Sequence, residues 1–461
     1  MKSKIYLFIA SFVLLGSVLS CSEDDLDPTL AQSKAVETSI TDVADLTGIL
    51  NGAFNRMTSA FYYGRDFIII NEIRSDNAYS SAISNRFPTV TKMDMLATDA
   101  YARDTWVQIY SVIASTNILI GQDLTKITGD ETLKKHLVGQ ALALRALAHF
   151  DALKLYGQQH VTGGNDLGIP YVFEYKGTNL YPKRNTVAEV KGFINKDLDD
   201  ALTMLAPALD TKKDYMTTQA ANALKARVAI YFKDWAIAKT ACEAVINSNK
   251  FSIATSTAYA GTWIAKSPSN SIFELAYTPT DNLGINSLYQ IYNNTAYGDI
   301  EALQNLKDAF DPGDVRASAT MIGLDAKNKL RNLGKYRSAT FADNIFLMRY
   351  EEVILNYAEA LFRLNPADAN ALIRLNSITS NRGAVPYTAA TEANILLERR
   401  RELCFEGFRF DDLARNGKNI PLVDAVRQTH GGPAYGSYNY AFPIPTNEIN
   451  ANSNMVQNKG Y

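Results

Sequence analysis

Cysteine, histidine and paired carboxylates carry most protein chemistry, and this chain of 461 residues is sparing with them, having 3 Cys and 4 His. It contains no His-Glu-x-x-His, Cys-x-x-Cys, Gly-x-Ser-x-Gly or Gly-rich loop ending in Gly-Lys-Ser/Thr. The spacings that build zinc, redox, acyl-transfer and nucleotide sites are therefore missing. His136 and His149 lie 13 apart in one apolar stretch and read as core or groove residues. His160 and His430 stand in loops with no partners at metal-ligand spacing. No metal and no cofactor is expected. Asp197, Asp199 and Asp200 cluster on a helical stretch and are expected to face solvent. A glycosidase would need two acids roughly 5–9.5 Å apart across a cleft. Asp94, Asp99 and Asp104 make no better pair. The chain is read as a non-enzyme, with a glycoside hydrolase as the least favoured alternative.

Two further features are chemically pointed. The run Glu398-Arg399-Arg400-Arg401-Glu402-Leu403-Cys404-Phe405-Glu406 is the densest in charge. On a helix Glu398 would reach Arg401 or Glu402, and Arg399 would reach Glu402. Arginine supplies no proton at neutral pH, so a buried structural ion-pair network is expected rather than catalysis. At the other end, Lys2 and Lys4 precede the apolar stretch Ile5–Leu19, which closes on Val18-Leu19-Ser20-Cys21. Some 15 apolar residues suit a signal segment better than a membrane span. Residues 1–20 thus read as a signal peptide, and Cys21 as the lipidated first residue of the mature protein. Each buried methylene contributes about 0.8 kcal/mol, so more than one acyl chain makes a stable anchor. Ser22-Glu23-Asp24-Asp25 begins an acidic tether over residues 21–35. Cys242 and Cys404 sit among apolar residues at helical spacing and read as buried free thiols.

The elements that hold these residues are mostly helical. Leu133, Leu137, Ala141, Leu144 and Ala148 form one stripe within Glu131–Gly157, and Val138, Leu142, Leu147 and Phe150 form another. Two apolar faces imply neighbours on both sides. Gly157 is a natural stop. Thr217–Phe232 and Asp234–Ser248 are separated by a one-residue turn and predict an antiparallel hairpin of about 32 residues, close to the tetratricopeptide repeat length. Tyr101–Gly121 with Glu131–Gly157, and Leu347–Leu364 with Ala367–Ser380, are further pairs. Phe61–Thr98 and Phe251–Thr340, rich in Gly, Asn, Ser, Thr and Tyr, read as loops and short strands. Hydrophobic residues at 47% and charged ones at 20% exclude global disorder. Lys plus Arg is 46 against 48 Asp plus Glu, a net charge of −2. Losing Lys2 and Lys4 with the signal segment leaves 44 against 48, or −4. Nothing in that balance neutralises a phosphate backbone, so nucleic acid is not an expected partner.

Four stretches together resemble the SusD/RagB family of nutrient-binding outer-membrane lipoproteins. They are Glu398–Gly407 continuing to Phe410-Asp411-Asp412-Leu413; Phe442-Pro443-Ile444-Pro445-Thr446-Asn447-Glu448-Ile449 with Gln457–Tyr461; Met348–Ala360; and Ala143-Leu144-Arg145-Ala146 with Phe150 and Tyr156-Gly157. With the lipobox they span nearly the whole chain in family order. Cys21-Ser22-Glu23-Asp24 also resembles the export signal of surface lipoproteins in glycan-degrading Gram-negative bacteria. Asn416 departs from the family, which often has Trp there.

The resemblance implies a mainly α fold with a tetratricopeptide-like scaffold of helical pairs, carrying irregular loop and short-strand insertions. It implies one SusD-like domain over 36–461, with scaffold at about 36–60, 99–250 and 345–415. Ligand-side insertions would occupy about 61–98, 251–344 and 416–461. It also implies an extracellular-facing, lipid-anchored protein of the outer membrane that passes oligosaccharide to a TonB-dependent, SusC-like transporter. A peptide-binding protein of the same type is the alternative.

Sugars present apolar C–H faces that stack on flat aromatic rings, and Tyr and Trp add a polar handle. The insertions supply Phe61, Tyr62, Tyr63, Tyr79 and Phe87, then Trp263, Tyr289, Tyr292 and Tyr297, as candidate platform residues. Arg86, Asn77, Asn293 and Asn294 are candidate readers of hydroxyls.

Overall fold

The computed structural model describes residues 40–176, 178–179, 181–293 and 297–461. The signal segment, Cys21, the acidic tether and Asn294 lie outside the described residues. Twelve helices carry the architecture: α1 (Val43–Met57), α2 (Asp66–Ile73), α3 (Ala100–Ile120), α4 (Glu131–Tyr156), α5 (Val187–Met204), α6 (Thr218–Tyr231), α7 (Trp235–Asn247), α8 (Leu288–Asn293), α9 (Tyr350–Leu364), α10 (Ala369–Ser380), α11 (Glu392–Leu403) and α12 (Arg409–Arg415). The fold is mainly α, as expected.

The long helices pack as neighbours in a chain: α1 on α3, α3 on α4, α4 on α5, α6 on α7, α7 on α9 and α9 on α10. Their starts are written in the sequence. Asp42 and Asp45 form a capping box at α1, and Thr186 and Glu189 form one at α5. Asp130 and Thr217 cap α4 and α6 by accepting from the amides of Leu133 and Ala220. Gly157 ends α4. Helix α4 is buried almost throughout its length because the double stripe packs on both sides. Small residues at the α6–α7 contact, Ala229, Ala238 and Ala241, let the two axes approach closely.

Three two-stranded antiparallel sheets fasten the insertions to this frame. Strand β1 (Ala78–Ser80) pairs with β3 (Ile300–Ala302), β2 (Ser271–Leu275) with β6 (Ile345–Arg349), and β4 (Ile322–Leu324) with β5 (Leu330–Asn332). Two expectations are corrected here. Leu347–Arg349 belongs to strand β6, and the helix begins only at Tyr350. The segment from Phe61 is more than loops and short strands, because the run Phe67-Ile68-Ile69-Ile70 forms the helix α2, buried on every face. A helix apolar all round belongs in a core, and α2 threads the first insertion through the middle of the molecule.

The charged run is buried, as expected, but its pairing reaches further than local helical spacing. The Glu402 carboxylate accepts from Arg382 Nε (2.9 Å), Arg349 Nη1 (2.9 Å) and Arg316 Nη1 (3.1 Å). Burial alone would raise the Glu402 pKa, yet these three guanidinium groups hold its carboxyl well below the usual range. Arg399 pairs with Asp412 (2.9 Å) rather than with Glu402, and Arg400 with Asp76 (3.3 Å). Asp197 is also corrected. It faces the interior, taking both oxygens to Arg145 at 2.7 Å and accepting from the Tyr171 hydroxyl at 2.6 Å. Asp199 and Asp200 make exposed pairs with Lys225 and Lys196.

Candidate functional site

Most of the aromatic residues expected to form a platform are core residues. The Tyr62 and Tyr63 hydroxyls both donate to Asp151 Oδ2, at 2.6 and 2.7 Å. Tyr79 is buried and donates to Glu301 across the β1–β3 pair. Phe87 has no exposed surface and stacks on Tyr101 at 4.5 Å and 22°. Trp263 is buried over the charged network, 4.7 Å from Lys335 Nζ and 5.1 Å from the Arg349 guanidinium carbon. Tyr292 is buried, parallel to Tyr336, and donates to the Phe405 carbonyl. Tyr63 lines a cavity of about 590 Å³ beside Phe67 and Arg227, and the other rings are packed in the core, so Tyr63, Tyr79, Phe87, Trp263 and Tyr292 do not form an external platform in this structure. Asn77 is likewise internal, donating to Glu72 and accepting from Arg400.

Tyr289, Tyr297, Arg86 and Asn293 keep part of their surface, and Phe61 is 44% exposed. The first three mark a ledge along α8. At its start the partly exposed Tyr289 ring meets Phe341 at 5.8 Å and 52°. The two rings border a slot of about 250 Å³ shared with Gly64, Ser287 and Asp343. Gly64 is needed there, since a Cβ would lie 2.3 Å from the Thr58 carbonyl oxygen and 2.6 Å from Leu283. Past the end of α8 the Arg86 guanidinium covers Tyr297 at 4.1 Å. Asp299 holds that corner by accepting from the Ser84 amide and hydroxyl and the Arg86 amide. Arg65 ties the two ends together, donating to Asn286 at 2.8 Å with its guanidinium 5.7 Å from the Phe87 ring.

Asp343 gives the slot a titratable wall. Burial raises its pKa to about 6, against the lowering effect of the Ser338 and Arg337 amides that donate to it. Phe341 and Asp343 carry no motif in the sequence that marks them for a site. A lone Phe inside Ser338-Ala339-Thr340-Phe341 was the available signal. Tyr435 and Tyr438, in the tail, are exposed aromatics as well.

The histidines are structural in geometry. His149 is fully buried and stacks on Tyr171 at 3.7 Å and 13°. His160 bonds the Tyr231 hydroxyl at 2.8 Å. Among the described residues no group of three or more His, Cys, Asp or Glu could hold a metal ion, and no helix is long and apolar enough to cross a membrane. Cys242 and Cys404 are buried free thiols, and burial pushes the Cys404 thiol up to about 12.

Comparison with known proteins agrees with this architecture. A family profile described as "SusD family" matches residues 255–461, and one described as "Starch-binding associating with outer membrane" matches residues 28–230. The chain is 23% identical over 445 residues to SusD-like protein P38 of Formosa agariphila, covering 80% of this chain and 82% of that protein. It is 37% identical over 130 residues to the starch-binding protein SusD of Bacteroides thetaiotaomicron, a match spanning 27% of this chain and 23% of that one. A SusD superfamily protein of Bacteroides vulgatus superposes with a TM-score of 0.83 at 28% identity, covering 92% of this chain and all of that one. With both halves of the chain matched in order and the same helical frame throughout, the protein belongs to the SusD/RagB family.

Proposed function

We propose that this protein is a surface lipoprotein that captures oligosaccharide on the α8 ledge and hands it to a partner TonB-dependent transporter of the outer membrane. The observation that carries the reading is the half-exposed Tyr289–Phe341 pair, held on a buried ionic and helical frame beside Arg86 and Tyr297. A sugar ring laid on these rings releases water from its C–H face. Asp343 and Ser287 line the slot and would meet hydroxyls there, and Arg86 covers Tyr297 past the end of α8. Rings fixed before binding lose little freedom when the ligand arrives. The 37% identical segment of a starch-binding relative supports a glycan over other cargo. No acid pair or metal cluster is used, so the cargo's bonds stay intact.

Anchoring through Cys21 supplies the membrane attachment. With a mature charge of −4 the protein gains nothing from anionic lipid, so acyl chains rather than basic residues hold it. Calorimetry with a panel of neutral oligosaccharides tests the capture step. Binding that weakens when Tyr289 is replaced supports it, and no heat from any member of a broad panel would sink it. Metabolic labelling with palmitate, lost in Cys21→Ala, tests the anchor.

A further inference from the structure

A second concave site lies away from the ledge, on the scaffold. A groove of about 820 Å³ opens between α1, the first turns of α4 and the 209–217 segment that leads into α6. Leu133, Leu137 and Met216 make it largely apolar. Tyr215 forms one wall, held by donating to Asn51 at 2.9 Å and by an edge-on contact with Phe54 at 5.4 Å.

One buried polar atom in this groove lacks a partner, and a histidine stands beside it. Gln140 is 3% exposed, and its Oε1 has no hydrogen-bond partner among the described residues. His136 is 4% exposed and accepts the Ala206 amide on Nδ1 at 3.1 Å. Burial lowers the His136 pKa, so the ring is neutral and carries its proton on Nε2. That Nε2–H has no partner among the described residues. His136 and Gln140 stand four apart on α4 and so share one face. Leaving a buried amide oxygen unsatisfied is costly, so a groove kept this way suits a ligand that completes it.

We propose that this groove is a second saccharide-binding site, taking a short neutral sugar. The choice of a sugar rests on the glycan reading above, but the groove's chemistry narrows it. The Gln140 amide offers a donor beside an acceptor, which matches a pair of neighbouring hydroxyls. The His136 Nε2–H donates to a ring or hydroxyl oxygen. Leu133, Leu137 and the Tyr215 ring receive the C–H face. A purely aliphatic ligand would leave both polar groups unpaired. A charged one would meet Lys212 and Asp210 together at the groove, with no net charge to favour either sign.

Titration calorimetry with maltotriose, laminaritriose and xylotriose, on the full chain and three variants, tests the proposal. With a sugar that binds, the wild type takes up about two equivalents. Gln140→Leu weakens one of the two at least about tenfold, and Tyr289→Ala weakens the other. Gln140→Leu also melts no lower than the wild type, because it removes an unpaired amide and no hydrogen bond. Gln140→Met, closer in length, repeats the result if Leu disturbs packing. One equivalent that Tyr289→Ala abolishes and both Gln140 variants leave intact overturns the groove and spares the ledge. No binding of any of the three sugars to the wild type overturns the groove as a site for short neutral sugars, and the broad panel then decides the ledge.

Discussion

The Arg86 guanidinium lies 4.1 Å from the centre of the Tyr297 ring, and both residues keep part of their surface. The cation covers the ring beside the corner held by Asp299, and its N–H groups make no hydrogen bond among the described residues. Such a contact contributes about 0.5–1 kcal/mol at a partly exposed site. Arg86→Ala should therefore weaken oligosaccharide binding several-fold through two losses, a looser ring and fewer donors, while Arg86→Lys should recover part of it. Calorimetry on the two variants reads the difference. Equal binding by all three forms would remove Arg86 from the site.

Asp343 should make the stability of the protein depend on pH in an unusual direction. Its folded pKa is raised to about 6, against roughly 3.9 for a free Asp. Between about pH 4 and 6 the folded protein then holds more protons at this group than the unfolded chain does. The Asp343 contribution to stability is thus greatest below pH 4, falls as pH rises through that window and levels off above 6. Asp343→Asn should flatten this component, of order 3 kcal/mol, and leave the protein at pH 7 no less stable. Urea melts at pH 4, 5, 6 and 7 check both parts.

The pairing of Arg382 with Glu402, neither of them exposed, should be costly to break from one side only. Arg382→Met takes one of three guanidinium partners from Glu402 and leaves Glu351 only Arg349 as a cationic partner, and removing that one side of a buried pair is expected to cost about 3 kcal/mol. Lys196→Ala, which removes the exposed pair with Asp200, should change stability by less than about 1 kcal/mol. Chemical denaturation of the two variants side by side gives the comparison. Similar midpoints would mean the buried network is not what rigidifies the frame.

Cys242 and Cys404 should resist a water-soluble thiol reagent in the folded protein and react in denaturant. Both are buried, and burial raises both pKa values, so thiolate is scarce as well as hidden. Fast labelling under native conditions would contradict the packing around α7 and the end of α11.

How much of this was legible in the sequence differs between frame and site. Helix α4 could be read because its double stripe and its Asp130 and Gly157 ends are local signals. The α6–α7 hairpin could be read for the same reason. Asp197 could not, because its partner Arg145 lies 52 residues away and only the fold brings the two together. The platform failed in an instructive way. Loop composition tells how aromatic a segment is, but not which way it folds back. Phe67–Ile70 draws the first insertion inward as α2, so Tyr62 and Tyr63 go with it onto Asp151. Trp263 is held over Lys335 and Arg349, cations that are distant in sequence. Tyr289 and Tyr297 keep part of their surface while Leu288, Gln290, Ile291 and Tyr292 turn most of α8 into the core. Phe341, their missed companion, reaches Tyr289 only through the β2–β6 pairing that returns the chain to the frame.

In the proposed function, rings fixed along α8 hold sugar without cutting it. This is tested most directly by titrating maltoheptaose and laminariheptaose into the wild type and into a Tyr289→Ala, Phe341→Ala double variant, with the sugar recovered and sized afterwards. The account predicts binding of at least one sugar by the wild type, a loss of roughly tenfold or more in the variant at an unchanged melting temperature, and sugar recovered at full length. Undiminished affinity in the double variant, or shortened sugar after incubation with the wild type, would contradict it.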